Sequence, residues 1–178
     1  MLIVKALNFA AEKHKGQERR GSGLPYVIHP IIVAHLLGKY KKSKHLEELQ
    51  VASLLHDVLE DTECTYIEIE REFGPLVASI VMELTSDTER IREIGKNEYL
   101  KQKMIKMSKY AFVVKLIDRF SNILDKPSEK YVLNTLDMME FLRMHREDIT
   151  DTQLKIITDI EFECVKLEHE FKKINEVL

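Results

Sequence analysis

The chain has 178 residues, of which 44% are hydrophobic and 32% are charged, and its formal net charge is -3. This length is sufficient for a single domain with a substantial core, and the small net charge gives no general attraction to nucleic acid or to an anionic membrane. Two cysteines without CxxC spacing, Cys64 and Cys164, predict free thiols in the cytoplasm rather than disulfides or a thiolate zinc site. We expect no signal peptide, because Lys5 interrupts the apolar start, and no bilayer-spanning segment.

The predicted elements are all helices. Glycine and proline are scarce, apolar residues recur mostly every three or four positions, and no stretch alternates with a period of two. The pattern predicts helices over 2–15, 30–42, 45–60, 65–73, 75–86, 97–107, 108–125, 129–146 and 150–176. Residues typical of helix ends mark several boundaries, namely Pro30, Gly74, Pro75, Ser128 and either Thr150 or Asp151. The expected fold class is therefore all-α.

The first polar cluster follows the first predicted helix. Its basic residues fall within eight positions and comprise Lys13, His14, Lys15, Arg19 and Arg20. Such a cluster is usually a solvated face, and the alternative is the positive rim of a site for a polyanionic small molecule. In the loop that follows, GSGLPYVIHP, His29 stands at the start of a predicted helix. Loops often deliver functional groups to such places, although an ordinary loop or capping histidine is the alternative.

The apolar segment VASLLHDVLEDT, residues 51–62, carries four titratable groups: His56, Asp57, Glu60 and Asp61. On one helix the spacings of three and four positions let these side chains lean toward one volume of space. If these groups merely lie at a helix end, each of them needs a separate hydrogen-bond or ion-pair partner. One divalent cation would instead compensate two acidic ligands together. The segment favours a metal site at His56 and Asp57, with Glu60 and Asp61 facing the group on which the metal acts.

A nearly all-apolar helix is predicted over 110–125, and Lys115, Asp118 and Asn122 share one stripe of it. A buried carboxylate needs compensation, so Asp118 either pairs with Lys115 or Arg119 or holds a metal, and the spacing leaves both open. The remaining histidines are predicted to be surface or helix-packing residues, with His14 a marginal exception because of its basic neighbours: His14, His35, His45, His145 and His169.

Together these motifs resemble the HD superfamily, and more narrowly the hydrolase domain of RelA/SpoT-type enzymes and the single-domain small alarmone hydrolases. The motifs are GQ-x-R-R, PY-x-x-HP, LLHD-x-x-EDT, FG-x-x-V and D-R-x-x-N, and they occur in this order over about the first two thirds of the chain. The resemblance implies one HD-type helical bundle over residues 1–178, with core motifs in 1–126. The amphipathic helices in 129–178 either pack on that core or form an oligomer interface.

The resemblance also implies a site. One divalent cation, typically manganese with iron(II) or zinc as alternatives, would be held by His29, His56, Asp57 and Asp118. Glu60 and Asp61 would orient and deprotonate the attacking water. Substrate contacts would come from the remaining matched positions, which are Arg19, Arg20, Tyr26, Lys115 and Asn122.

The implied reaction is hydrolysis of the 3′-pyrophosphate of guanosine tetra- or pentaphosphate, the alarmones of the stringent response, to GDP or GTP and pyrophosphate. One alternative is an HD phosphohydrolase acting on another nucleotide or dinucleotide phosphate. The other is a catalytically silent nucleotide sensor, against which the intact Glu60-Asp61 pair argues. In each case the expected partner is a small-molecule nucleotide, not nucleic acid or membrane. The sequence does not decide whether the chain forms a homo-oligomer.

Overall fold

The computed structural model describes residues 1–19 and 21–177, with side chains described as far as Ile174. Arg20, one of the expected substrate contacts, lies outside the described residues. The described chain contains eleven α-helices and one isolated β-bridge between Glu18 and Pro25, which confirms the all-α prediction. The helices are α1 Leu2–Lys13, α2 Ile28–Tyr40, α3 Leu46–Leu55, α4 Val58–Asp61, α5 Tyr66–Phe73, α6 Pro75–Leu84, α7 Thr88–Ile94, α8 Lys96–Met104, α9 Lys109–Ile123, α10 Glu129–His145 and α11 Asp151–Val177.

The helices divide into two compact units along the chain. The first unit comprises residues 1–87 and 108–118, and the second comprises 88–107 and the residues from 119 onward. The prediction of one domain over 1–178 stays a prediction. Within the described residues, none of the helices is both long enough and apolar enough to cross a bilayer.

In the first unit α3 is the central helix, since it contacts α1, α2 and α6, while α5 packs on α6. The burial of α3 reflects this central position. Except for Gln50, every residue of α3 from the second turn onward is buried: Leu49, Val51, Ala52, Ser53, Leu54 and Leu55. A helix buried on nearly all sides has little freedom to shift or rotate. The residue that follows its last turn, His56, is therefore placed by the core itself.

The predicted helix over 45–60 is wrong at one point, because α3 ends at Leu55 and α4 begins at Val58. Between them the carbonyl of Asp57 accepts hydrogen bonds from the N–H groups of Glu60, at 3.1 Å, and Asp61, at 2.9 Å. Asp57 thus starts a new helical turn, although its side chain makes no capping hydrogen bond and instead contacts His56 and Tyr26. The apolar pattern continues through the break, so periodicity alone did not reveal it.

Other boundaries differ less or agree. The first position of α2 is Ile28, so Pro30 lies within the first turn, where its missing N–H removes no intrahelical bond. Ser128 caps α10 by accepting a hydrogen bond from the N–H of Tyr131 at 3.3 Å, as predicted. The side chain of Thr150 and that of Gln153 each accept from the other's N–H, a capping box at the start of α11.

Gly74 and Pro75 separate α5 from α6, also as predicted, and Gly74 has a φ of 87° that favours glycine. The prediction missed α7, whose described residues include none that is buried. A helix without a buried face leaves no apolar periodicity in the sequence.

In the second unit α8 packs on α7 and α10, and α10 packs on α11. The buried apolar side chains here include Met104, Ile123, Val132, Met138, Met139, Leu142, Ile156, Ile157 and Ile160. Just past the end of α10, the guanidinium of Arg146 is buried, with 6% of the residue exposed. It donates to the carbonyl of Met104 at 2.6 Å and to that of Met107 at 2.8 Å. Arg146 therefore satisfies carbonyl groups that the end of α8 leaves without partners.

We expect Arg146→Met to lower the free energy of unfolding by about 3 kcal/mol, because it leaves two carbonyls and the Asp148 carboxylate without their buried donor. Arg143→Met is the matched control: its guanidinium pairs with Glu161 at the surface, so its loss is expected to cost less than about 1 kcal/mol. Urea unfolding of both variants measures the difference. Equal losses would contradict the role given to Arg146.

Candidate metal centre

Three buried side chains meet inside the first unit. His29 comes from α2, His56 follows α3, and Asp118 comes from α9. Each residue offers one possible metal ligand, a ring nitrogen or a carboxylate oxygen, and these three atoms all lie within 4.8 Å of one another. The Oδ1 atom of Asp118 is 3.0 Å from Nε2 of His29 and 3.6 Å from Nε2 of His56. Only 2% of each histidine and 7% of Asp118 are exposed, so these contacts are shielded from water.

The backbone orients the ring of His56. Its Nδ1 lies 2.8 Å from the carbonyl oxygen of Ser53, one turn earlier, and can only donate to it. That bond turns Nε2 toward the acidic groups. There Nε2 is 2.9 Å from Oδ2 of Asp57 and close to Asp118, yet among the described residues this buried nitrogen has no hydrogen-bond partner of good geometry. Histidine ligands of metals are commonly held in this way, with one nitrogen fixed by a carbonyl and the other aimed at the ion.

Asp57 adjoins the three residues without belonging to the set whose atoms all lie within 4.8 Å. Its Oδ2 contacts Nε2 of His56 and accepts a short hydrogen bond from the hydroxyl of Tyr26. Burial opposes ionisation of Asp57, but the adjacent His56 outweighs burial and holds its pKa well below the usual range. Burial and the charge of Asp57 in turn raise the pKa of the Tyr26 hydroxyl, which stays a donor.

The cluster favours positive charge at its centre. Burial opposes the charged form of His56, but the carboxylates of Asp57 and Asp118 outweigh burial and raise its pKa to about 10. Burial likewise opposes ionisation of Asp118, but the charge of Lys115 and the two histidines keep its pKa well below the usual range. The two carboxylates that favour a proton on His56 would also stabilise a divalent cation, which has to displace that proton from Nε2 in order to bind there. The His29–His56–Asp118 set therefore suits a divalent metal ion.

Lys115 supplies the internal partner that the sequence had left open for Asp118. Its Nζ is 2.9 Å from Oδ2 of Asp118, while Oδ1 faces the two histidines. The two explanations of the buried carboxylate thus use different oxygens of one group. Arg119 takes no part in this pair: it donates to the hydroxyl of Thr135 at 2.7 Å and lies over the ring of Tyr131.

The two acids on α4 are exposed rather than buried with the cluster. The carboxylate of Glu60 accepts a hydrogen bond from the N–H of Ser86 at 2.8 Å. Although Asp61 is exposed as a whole residue, its carboxyl group is partly withdrawn from water, and this desolvation, together with the like charges of Asp57 and Glu60, raises its pKa. Their roles toward water, expected from the resemblance, stay predictions.

Two of the four described residues expected to contact substrate touch the cluster. Tyr26 reaches Asp57 and Lys115 reaches Asp118, as described above. Arg19 is half-buried in the loop between α1 and α2, where its N–H donates to the carbonyl of Leu24 at 2.8 Å. Asn122 lies one helical turn beyond Asp118 on α9 and is half-buried.

Sequence reasoning missed two residues beside the site. His14, which the sequence set apart from the other remaining histidines only because of its basic neighbours, is 3% exposed and packs its ring on that of Tyr26, with ring centres 4.8 Å apart. Gln17 donates from Nε2 to the backbone carbonyl of Asp61 at 2.8 Å. The basic cluster and the GQ-x-R-R motif both marked this region, but neither indicates which partner the glutamine contacts.

Comparisons with known proteins agree with this geometry. The HD domain family matches residues 6–129 of the chain. The guanosine-3′,5′-bis(diphosphate) 3′-pyrophosphohydrolase MESH1 of Danio rerio is 38% identical over 128 residues, which are 70% of this chain and 68% of that protein. A guanosine-3′,5′-bis(diphosphate) 3′-pyrophosphohydrolase of Spiroplasma citri is 30% identical over 177 residues, but these are only 23% of its length.

Solved structures include one described as a metazoan ortholog of SpoT that hydrolyses ppGpp. It superposes with a TM-score of 0.73 at 27% identity, covering 89% of this chain and 93% of that one. These findings confirm the resemblance that the motifs indicated. With more than half of its residues matched and its fold shared, the chain belongs to the HD domain family.

Proposed function

We propose that the protein hydrolyses the 3′-pyrophosphate of guanosine tetra- and pentaphosphate, releasing GDP or GTP and pyrophosphate. The observation that carries this proposal is the meeting of His29, His56 and Asp118, with a buried His56 nitrogen that no described residue satisfies by a hydrogen bond. The proteins named guanosine-3′,5′-bis(diphosphate) 3′-pyrophosphohydrolase that this chain resembles support the choice of substrate.

The residues that would hold the ion are His29, His56, Asp118 and, as the fourth, Asp57. Two imidazole nitrogens and two carboxylate oxygens suit manganese or iron(II), and zinc accepts the same donors, so we propose manganese first. A divalent cation in this set supplies Lewis-acid stabilisation of phosphoryl oxygens and makes water a stronger acid. Tyr26 and the Ser53 carbonyl keep Asp57 and His56 turned toward that ion.

The remaining chemistry belongs to the side chains around the ion. Hydrolysis adds one water across the bond between the pyrophosphate and the ribose 3′ position, so a base must take a proton from that water. Glu60 and Asp61 are the carboxylates on the turn that follows the two ligands His56 and Asp57, and we assign them this role. Arg19 would bind the substrate's phosphates through its guanidinium, since such pairs are strong and directional.

The assignments of Arg20, Lys115 and Asn122 as substrate contacts rest on the motifs alone. We infer a cytoplasmic location because both cysteines are free and buried, as expected of a protein in a reducing compartment. Whether the chain forms a homo-oligomer stays a prediction.

A panel of nucleotides tests the function directly. Purified protein loaded with manganese is expected to release pyrophosphate from guanosine tetraphosphate, and metal analysis of the same preparation is expected to find one bound ion per chain. Orthophosphate released from other nucleotides instead would favour the broader phosphohydrolase. Nucleotide binding without any turnover would favour the silent sensor and contradict the proposal.

The variant Glu60→Gln tests the base. Its amide oxygen can still accept the hydrogen bond from Ser86, so the fold is expected to persist, but the side chain can no longer take a proton. We expect kcat to fall by about a hundredfold or more while metal content is unchanged. The control is Glu63→Gln, a neighbouring exposed glutamate outside the cluster. A parent-like rate in Glu60→Gln would remove Glu60 from the mechanism.

The variants Asp118→Ala and Asp118→Asn test the metal set. Both remove the negative charge that the two histidines share, and the asparagine keeps the shape of the side chain. We expect both proteins to lose stoichiometric manganese in metal analysis, because an oxygen ligand without charge binds a hard cation weakly. Asp125→Asn, an exposed position just past the end of the same helix, is expected to keep the ion. Full manganese occupancy in both Asp118 variants would remove this residue from the ligand set.

A further inference from the structure

Residues 17–19 and 21–26 belong to the loop that connects α1 to α2. The N–H of Tyr26 donates to the carbonyl of Gln17 at 2.9 Å, and Glu18 bridges to Pro25. Gln17 and Tyr26 therefore lie opposite each other at the base of the loop. Both side chains leave the base toward the same stretch of the chain, residues 57–61.

The two contacts hold that stretch at both ends. The hydroxyl of Tyr26 donates to the carboxylate of Asp57, and Nε2 of Gln17 donates to the carbonyl of Asp61 at 2.8 Å. Because α4 is a single turn, it is only marginally stable by itself and its last carbonyls have no partners within the helix. The amide of Gln17 provides such a partner at the residue whose carboxylate we assign to the reaction.

His14 determines how the amide of Gln17 is turned. Its Nδ1 lies 2.8 Å from Oε1 of Gln17. Since Nε2 of Gln17 must donate to the Asp61 carbonyl, Oε1 is the acceptor on the other side, and His14 carries its proton on Nδ1.

The ring of His14 is buried against Tyr26, and its Nε2 has no hydrogen-bond partner among the described residues. Within that part of the chain, the one side-chain hydrogen bond of this buried ring goes to Gln17. A buried polar ring with one open nitrogen is costly, so its retention needs an explanation beyond apolar packing.

We propose that Gln17, oriented by His14, is a positioning residue that holds Asp61 for proton transfer in the hydrolysis. The inference rests on the proposed function. Gln17 fixes the backbone carbonyl of Asp61, so it limits movement of the turn that carries the Asp61 carboxylate. A small displacement of a reacting group is enough to lower a rate strongly.

Two substitutions of Gln17 remove the tether. Gln17→Met has a similar length and no N–H, and Gln17→Glu keeps an acceptor for His14 but also has no N–H for the Asp61 carbonyl. For both we expect kcat on guanosine tetraphosphate to fall about tenfold to a hundredfold, with KM within about twofold of the parent. Manganese content is expected to be unchanged. The matched control is Gln102→Met, which removes a glutamine on α8, outside the site, whose side chain donates to Glu98.

A second pair of variants tests the part of His14. In His14→Leu nothing donates to Gln17, so we expect the same loss of kcat as in Gln17→Met. In His14→Asn the side-chain amide can donate from nearly the position of Nδ1, and we expect recovery to within about threefold of the parent rate. A merely structural role in packing against Tyr26 would be lost in His14→Asn and kept in His14→Leu, which is the opposite order.

Coupling to Asp61 is the decisive measurement. If Gln17 acts through Asp61, Gln17→Met adds no further loss of kcat to Asp61→Asn, because the group being positioned is already disabled. Amide hydrogen exchange of residues 58–62, measured without metal or substrate, is expected to be faster in both Gln17 variants and unchanged in Gln102→Met. Losses of kcat that multiply across the double variant, or parent-like exchange and turnover in both Gln17 variants, would overturn the inference.

These outcomes are separate from failure of the proposed function. A parent protein that releases no pyrophosphate from guanosine tetraphosphate overturns the proposed function, and the role in hydrolysis with it. An active parent whose Gln17 variants are equally active overturns only the inference about Gln17 and His14.

Discussion

The first unit depends on one buried, ionised carboxylate. Asp118 lies on an apolar helix, where a buried charge without partners costs on the order of several kcal/mol. Its ionised form is stable there because each of its two oxygens has a partner. One oxygen faces Lys115 on the same helix, and the other faces His29 and His56 from two further helices. Because α2, α3 and α9 converge, the charge of Asp118 can be buried with partners. The same convergence brings together the side chains that could bind a cation.

The backbone break at residues 56–57 connects the core to the chemistry. Since α3 is buried nearly throughout, its end fixes the ring of His56 through the Ser53 carbonyl. Asp57 then starts a new turn that carries Glu60 and Asp61 outward to an exposed position. One short segment therefore gives a buried ligand and exposed acids, which an uninterrupted helix with the same sequence would place differently.

Periodicity and end signals in the sequence predicted the all-α class, most helices and the cap at Ser128, because each depends on residues near in the chain. The break at Asp57 and the helix α7 were missed, the first because the apolar pattern runs across it and the second because no described residue of α7 is buried. The cluster of His29, His56 and Asp118 followed from motif resemblance. Gln17 could not be found in that way, since its contact with Asp61 joins residues 44 positions apart and depends on the tertiary fold.

The ion pair between Lys115 and Asp118 affects how strongly folding depends on metal binding. The ammonium group is a counter-charge that the chain carries with it, so the most deeply buried carboxylate is neutralised in part before any ion arrives. Some small metal-binding domains, such as zinc fingers, fold only when their metal binds. Because Lys115 already compensates part of the charge of Asp118, we expect folding of this chain to depend less on the metal supply than folding of such domains does.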